Sequence, residues 1–187
     1  MAAIQHEPAL AIPASGTYAL DPSHSSVSFS ARHLMVSKVR GRFPVVDGHL
    51  TIADDPRQSA VDATIDVAGV DSGDAKRDEH LRSGDFFDAE QYPHVTFRST
   101  KVDHHGNGEF TLTGDLTVRA VTREVVLRGE YLGTQSSPWG DTRIGFTAET
   151  EVNRKEWGLE WNVALETGGV LVGDKIKLTI DVEWIKQ

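Results

Sequence analysis

Apolar and polar residues alternate strictly along much of this sequence. The pattern is clearest over residues 175–184, where five apolar side chains, from Ile176 to Trp184, are separated by four polar ones. A period of two places successive side chains on opposite faces of a β-strand. The pattern therefore predicts a strand with one face toward a core and the other toward water.

The same alternation recurs in several other segments of the chain. About eight strands without intervening helices predict an all-β fold, best satisfied by an antiparallel barrel, and exclude parallel α/β architecture. Gly106-Asn107-Gly108 lies between two of these segments and predicts a hairpin turn. In-phase apolar residues occupy 27–31, 61–67, 95–97, 110–118, 125–131 and 144–148, and residues 41–52 add one further strand.

Two segments interrupt the alternation. The first ends at Gly84 and predicts one short helix between strands, capped at its start by Ser72 or Asp74. The second carries Trp157 and Trp161 four residues apart and predicts a loop or a helical turn.

The interior of the predicted barrel is either filled by side chains or hollow enough for one small ligand. Gly114 and Gly129 fall in phase with inward-facing leucines. Either these glycines leave space for a ligand, or they relieve curvature at corners of the barrel. Leu34, Met35 and Val36 are apolar although they lie in a connection, so they form either a hydrophobic portal or a lid on the core.

Large apolar side chains are expected to line a channel through the barrel. An alkyl or prenyl chain would be held there by the apolar area removed from water. The candidate channel residues are Phe29, Met35, Phe43, Phe86, Phe87, Phe97, Phe110, Phe146, Trp157 and Trp161.

Length, charge and composition reduce the number of functions that the chain could have. The 187 residues fit one domain, and the net charge of −9 argues against nucleic acid as a partner. Without cysteine the chain has no disulfide and no thiolate metal site. Residues 1–15 lack a secretory signal, and no apolar run approaches the ~20 residues that span a bilayer. We therefore expect a loosely held tail over residues 1–15, a barrel over residues 16–187, a cytoplasmic location and no stable membrane insertion.

An island of positive charge lies in this acidic sequence. Residues 22–46 contain four Lys or Arg side chains and no acidic residue. Guanidinium groups match the geometry of phosphate oxygens, so the island is a candidate site for a diphosphate head group. Alternatively, these side chains simply face water on the outside of the sheet. The candidate head-group residues are Arg32, His33, Arg40 and Arg42.

No motif for catalysis stands out. The sequence has no Gly-rich phosphate loop, no nucleophile elbow and no His-Glu-x-x-His arrangement. Glu79 and His80 are neighbours on the predicted helix and point about 100° apart. His104 and His105 point to opposite faces of a strand. We therefore expect no catalytic residue, no metal ion and no cofactor.

Four groups of motifs in a fixed order cover nearly the whole chain, from Tyr18 to Ile185. In these motifs the chain resembles the YceI-like family of polyisoprenoid-binding, lipocalin-like proteins. They are Asp21-Pro22-Ser23-His24-Ser25 with Val39-Arg40-Gly41-Arg42-Phe43, Arg77-Asp78-Glu79-His80-Leu81-Arg82 with Asp85-Phe86-Phe87-Asp88, Gly114-Asp115-Leu116-Thr117-Val118 with Val121-Thr122-Arg123, and Asn153-Arg154-Lys155-Glu156-Trp157-Gly158-Leu159 with Val172-Gly173-Asp174.

The resemblance implies an extended eight-stranded lipocalin-like barrel with an elongated apolar channel. Its ligand would be a long isoprenoid or fatty lipid, held by a carrier, storage or sequestering protein that is commonly a homodimer. Two alternatives stay open. One is an enzyme of isoprenoid or small hydrophobic-molecule metabolism on the same barrel, which a buried carboxylate or histidine in the cavity would favour. The other is a structural or interaction domain with a solidly packed barrel.

Overall fold

The computed structural model describes residues 12–187 of the chain. Within this range the chain forms nine antiparallel strands, and one α-helix lies between the fourth and fifth strands. The elements are β1 (Gly16–Leu20), β2 (Ser26–His33), β3 (Ser37–Ile52), β4 (Ala60–Asp66), α1 (Ala75–Arg82), β5 (His94–Gly106), β6 (Glu109–Val118), β7 (Val121–Ser136), β8 (Thr142–Asn153) and β9 (Val172–Lys186).

The strands form one sheet that closes on itself. Its order is β1-β3-β2-β9-β8-β7-β6-β5-β4, and the additional pairing of β3 with β4 joins its edges. β1 and β2 both lie between β3 and β9, at different heights, so together they fill one position of an eight-position barrel. The predicted eight-stranded antiparallel barrel with one short helix is confirmed.

Strand β1 was not predicted. It pairs over four residues with β3 and over three with β9, and it buries only Tyr18 and Leu20. Two inward positions are too few for an alternation that can be recognised in sequence. Most of the predicted N-terminal tail lies outside the described residues, but Ile12 and Pro13 lie against the barrel interior rather than loosely.

The two ends of the barrel carry different connections. We call the end with the β2–β3 turn, helix α1, the β6–β7 turn and the long β8–β9 connection the upper end. The opposite end, with the β5–β6 and β7–β8 turns, is the lower end. Within residues 12–187 no helix is both long enough and apolar enough to cross a membrane.

Helix α1 begins after Asp74, one of the two residues predicted to cap it. The Asp74 carboxylate accepts a hydrogen bond from the Arg77 backbone N–H, which identifies Asp74 as the cap. The Ser72 hydroxyl instead donates to buried Asp78, at 2.5 Å, and accepts from the Arg77 guanidinium, at 2.8 Å. The helix ends at Arg82, and its C-cap is Ser83, one residue before the predicted Gly84. These bonds fix the helix to the rim of the barrel.

The inward-facing glycines do not leave open space. A Cβ atom at Gly114 would lie 2.5 Å from the ring of Phe97, and one at Gly129 would overlap the ring of Phe110. Gly41 has the same relation to Phe29, its partner across β2 and β3. In each case a phenylalanine on the neighbouring strand lies over the glycine, an arrangement that compensates for the missing side chain. The glycines therefore set where aromatic rings lie against the barrel wall.

This arrangement predicts that Gly129→Ala destabilises the barrel. The added methyl group overlaps the Phe110 ring, and overpacking of this kind costs about 1–3 kcal/mol. The free energy of unfolding, measured by urea denaturation, should fall accordingly.

Gly145→Ala is the matched control on the neighbouring strand β8. A Cβ atom there has its closest contact at 3.7 Å, with Leu132, and should change stability by less than about 0.5 kcal/mol. Equal losses in the two variants would contradict the proposed contact between Gly129 and Phe110.

Candidate ligand-binding cavity

The closed sheet surrounds a cavity of about 250 Å³. Side chains from the barrel strands line it, and nearly all of them are aliphatic or aromatic. At the lower end the lining includes Ile12, Pro13 and His104, and at the upper end it includes Leu159 and Ile176. The cavity therefore extends along the barrel and is not filled by the protein's own side chains. A solidly packed barrel is excluded by this geometry.

Six of the ten predicted channel residues line the cavity. Phe43 and Phe87 make an edge-to-face contact, with ring centroids 5.1 Å apart. Phe110 and Phe146 make a second such contact at 5.7 Å. Trp157 is buried, and its indole N–H donates to the Leu116 carbonyl, at 3.0 Å. The six are Phe43, Phe87, Phe97, Phe110, Phe146 and Trp157.

The other four predicted channel residues do not line the cavity. Phe29 packs behind Phe43, with ring centroids 5.4 Å apart, over Gly41. Phe86 and Trp161 form an aromatic cluster with His80 at the upper rim, where the His80 ring lies 4.5 Å from that of Trp161.

Met35 lies in the β2–β3 turn and is exposed to solvent. Turn geometry carries it away from the interior, so its assignment to the channel lining is corrected.

The four predicted head-group residues lie away from the cavity lining. Arg32, Arg40 and Arg42 are exposed on the outer face of the sheet. Arg42 lies 3.6 Å from the carboxylate of Asp71 on the outside of the barrel. His33 is half-buried at the end of β2 and also does not line the cavity. The sequence left two alternatives for the basic side chains, a head-group site and an outer face in water. The geometry agrees with the second.

Arg154 is the only Lys or Arg side chain among the described residues that line the cavity. It is 4% exposed. Its Nε donates to the Gly173 carbonyl, at 3.1 Å, and its Nη1 donates to the carbonyls of Leu159 and Trp161, at 2.6 and 2.9 Å. Arg154 thereby holds the β8–β9 connection against the barrel.

The second guanidinium nitrogen of Arg154 has unused donor capacity. Nη2 is buried and makes no hydrogen bond to any residue in 12–187. The nearest carboxylate oxygen, Oδ1 of Asp174, lies 3.5 Å away and is likewise without a hydrogen bond. Burial lowers the pKa of Arg154, and the Asp174 charge opposes that shift. A buried cation with an unsatisfied donor at one end of an apolar cavity is suited to accept a polar or anionic group.

Arg154 belongs to one of the family motifs in the sequence, but the sequence does not identify it as a site residue. The segment reads as a loop or a helical turn, and neither fixes which side chain faces inward. In the structure the Asn153 side chain caps a 3₁₀ turn, Arg154–Trp157, and Gly158 ends it with φ 75°. This turn directs both Arg154 and Trp157 into the barrel. The signal in the sequence is the Asn cap followed five residues later by Gly.

A second polar cluster lies at the lower end. Asp21, His24 and Glu183 place potential metal ligands within 4.8 Å of one another. However, Arg143 donates to both carboxylates, and its distance to Asp21 is 2.5 Å. Burial opposes ionisation of Asp21, but hydrogen bonds from Ser23, His24 and Arg143 outweigh it and hold the pKa well below its usual range. The guanidinium already occupies the position that a cation would take, so this cluster joins β1, β8 and β9.

A closed antiparallel barrel around an apolar cavity defines the class of lipocalin-like proteins that bind hydrophobic ligands. Comparison with known proteins gives the family. The YceI-like domain model matches residues 18–184, and the chain belongs to the YceI-like family.

A sequence relative agrees with this assignment, and two solved structures share the fold. A UPF0312 protein of Vibrio cholerae serotype O1 is 38% identical over 141 residues, which are 74% of each chain. The fold is similar to that of Burkholderia cenocepacia BcnA, with a TM-score of 0.73 at 21% identity over 88% of this chain and 98% of the other. It is also similar to a polyisoprenoid-binding domain of Saccharophagus degradans, with a TM-score of 0.67 at 15% identity over 91% and 98% of the two chains.

The lower cluster predicts that stability depends on the charge of Asp21. Because its pKa is depressed in the folded state, Asp21 stabilises the fold above the unfolded-state pKa of about 4, and this contribution is lost as the pH falls. Asp21→Asn should therefore lower the free energy of unfolding by about 2 kcal/mol at pH 7. The difference from wild type should shrink below about pH 4, as measured by denaturation at a series of pH values.

Asp55→Asn is the control. Asp55 caps the 3₁₀ turn Pro56–Gln58, just as Asp21 caps the 3₁₀ turn Pro22–His24. Its side chain is more exposed than that of Asp21, and Arg57 is its ion-pair partner. A smaller loss is expected there. A loss at Asp21 that is the same at pH 3 and pH 7 would show that its charge is not the cause.

Proposed function

We propose that this protein binds a long-chain isoprenoid or a related amphipathic lipid in the barrel cavity and carries, stores or sequesters it. The observation that carries the proposal is the apolar cavity that extends along the barrel. Burial of about ten methylene groups would contribute on the order of 8 kcal/mol, before the entropy lost on ordering the ligand. The similar domain from Saccharophagus degradans, described as polyisoprenoid-binding, supports the choice of ligand class.

Binding is favoured over catalysis by the composition of the lining. Among residues 12–187 no Asp or Glu lines the cavity, and the histidine that does, His104, is exposed at the lower end. An acid–base mechanism needs a titratable group positioned at the reacting atom. The lining instead offers area for an unreactive chain. A cytoplasmic location and a homodimer remain predictions.

The polar head of the lipid is proposed to lie near Arg154. An amphipathic ligand places its polar group where a donor or a charge is available, because burying that group among apolar side chains alone is costly. Nη2 of Arg154 is such a donor at the upper end of the cavity. The chain would then extend toward Phe110 and Val102 at the lower end.

The proposal predicts that the protein purifies with bound lipid. Native mass spectrometry followed by organic extraction should find about one long-chain lipid per barrel, since the cavity has room for one chain. Ala148→Phe places a ring in the cavity and should lower lipid occupancy at least about ten-fold, because the ring takes the volume of the chain.

Val126→Phe is the matched control. Val126 is exposed on the outer face of the barrel, so the added ring leaves the cavity unchanged and occupancy should stay at the wild-type level. Circular dichroism confirms that both variants are folded. A wild-type protein that purifies empty and takes up no prenyl alcohol would overturn the proposed function.

The head-group assignment predicts a preference for acidic ligands. Asp174→Asn removes the carboxylate beside Nη2 of Arg154, so a long-chain carboxylate should bind about five-fold tighter, while the alcohol of equal length should be unaffected. Arg154→Gln should remove the preference. Affinities are measured by titration of the Trp fluorescence.

Glu149→Gln controls for the change in net charge. Glu149 pairs with Lys177 on the outside of the barrel, at 3.0 Å, and its loss should affect neither ligand. Equal effects of Asp174→Asn on the carboxylate and the alcohol would place the head group elsewhere.

A further inference from the structure

The turn between β2 and β3 carries three exposed apolar residues, which we call the apolar tip. Leu34, Met35 and Val36 are 41%, 53% and 85% exposed. The tip is an ordered part of the fold, because the Val36 N–H donates to the His33 carbonyl, at 3.2 Å, and the Leu34 N–H donates to the Leu171 carbonyl, at 2.9 Å. Three consecutive apolar side chains are therefore held outside the barrel at its upper end.

The conformation of the turn does not explain this composition. Leu34 and Met35 both have positive φ, 51° and 63°, as in a type I′ turn. Such turns favour Asn-Gly, and branched or bulky side chains are strained there. The β5–β6 turn of the same chain has the expected residues, Asn107 and Gly108, with φ 52° and 81°. The Leu-Met pair thus runs against the local preference of the backbone, as Arg119 and Ala120 do in the β6–β7 turn, with φ 49° and 62°. At the tip both side chains are in addition large, apolar and exposed, which indicates a role for them.

The strands behind the tip carry a band of positive charge. Arg32, Lys38 and Arg40 are exposed on the outer face of the β2–β3 hairpin, and none forms an ion pair with a residue of the described range. Arg32 and Lys38 are cross-strand partners next to the tip. These three residues, the basic band, stand out in a chain with net charge −9. Apolar side chains at the end of a hairpin, followed by cations, suit the interface of an anionic bilayer. The apolar groups can enter the interface, and the cations are attracted to the headgroups.

Trp139, a large exposed apolar residue outside the tip, lies in different surroundings. Trp139 is 83% exposed in the β7–β8 turn at the lower end. Close by are the carboxylates of Asp21, Asp141 and Glu183, which outnumber the one guanidinium, Arg143, that pairs with them. An excess of negative charge at this end is repelled by an anionic surface.

We propose that the β2–β3 hairpin docks onto the surface of an anionic membrane, with the apolar tip in the interfacial region and the basic band at the lipid headgroups. Docking is peripheral and leaves the barrel outside the bilayer. The upper end is also the end that holds Arg154, whose hydrogen-bond partner Gly173 neighbours Arg32 across the sheet. The proposal thus adds a membrane partner to the proposed lipid binding. Docking can be tested on protein that holds no lipid in its cavity.

The test is co-sedimentation with vesicles of phosphatidylcholine containing about one-third phosphatidylglycerol, compared with pure phosphatidylcholine. Wild-type protein should bind the anionic vesicles and dissociate at high salt, because the attraction is screened. The triple substitution Arg32→Gln, Lys38→Gln and Arg40→Gln should lower partitioning about 100-fold at low salt, or about five-fold per charge.

The decisive variant replaces the tip by the residues that the turn prefers. The double substitution Leu34→Asn and Met35→Gly should lower vesicle binding at least about ten-fold while leaving the thermal midpoint unchanged or higher, because Asn-Gly suits positive φ. Loss of binding with retained stability separates a docking role from a structural one.

Two controls complete the design. Ala120→Gly alters the β6–β7 turn at the same end, where Ala120 also has positive φ, 62°, and should leave vesicle binding unchanged. Trp139→Ser removes the exposed aromatic residue at the opposite end and should also have no effect. Wild-type protein that ignores anionic vesicles, or vesicle binding that survives the Leu34 and Met35 substitutions, would overturn the proposal. Vesicle binding by a protein that takes up no lipid would leave docking intact and refute only the lipid-binding function.

Discussion

Closure of the sheet by the β3–β4 pairing is the constraint on which the rest of the structure depends. Once the barrel is closed, inward side chains face a shared interior where an unpaired polar group is costly. The alternation of the sequence satisfies this requirement almost everywhere, so the interior is apolar. Whether it is also hollow depends on how the inward side chains pack. Phe29, Phe97 and Phe110 lie back over glycines on neighbouring strands, which keeps these rings against the wall and away from the axis.

The sequence predicts the strands well and the packing between them less well. Alternation is a property of one strand, so β2 to β9 can be recognised from their own residues. The contact of Phe110 with Gly129 depends on the register of β6 against β7, which no single strand encodes. For this reason the inward direction of the glycines was predictable, whereas the rings that cover them were not. Arg154 escapes prediction for a related reason, because a 3₁₀ turn sets its direction and that turn lies outside the alternating pattern.

The direction in which the basic residues point can be predicted from the alternation of inward and outward positions along a strand. Ala31 faces inward, so its neighbour Arg32 must face outward. Phe43 also faces inward, so Arg42 and Arg40, one and three residues before it, must face outward. The outward orientation therefore follows from the strand pattern, and the head-group role assigned to these arginines conflicted with it. Their charge is nevertheless unusual in this chain. Its meaning becomes apparent only when the fold places it beside the apolar tip and on the same end as the buried Arg154.

The chemical contrast between the two ends gives the barrel a direction. At the lower end, Asp21, Arg143 and Glu183 tie β1 to β8 and β9 through a network of charged hydrogen bonds, which rigidly joins the strands that meet there. At the upper end, the guanidinium groups of Arg82, Arg119 and Arg154 donate to backbone carbonyls of the connections, beside the cluster of His80, Phe86 and Trp161. A lipid that enters or leaves the cavity at the upper end would pass beside the hairpin where the exposed apolar tip and the unpaired cations of the basic band adjoin.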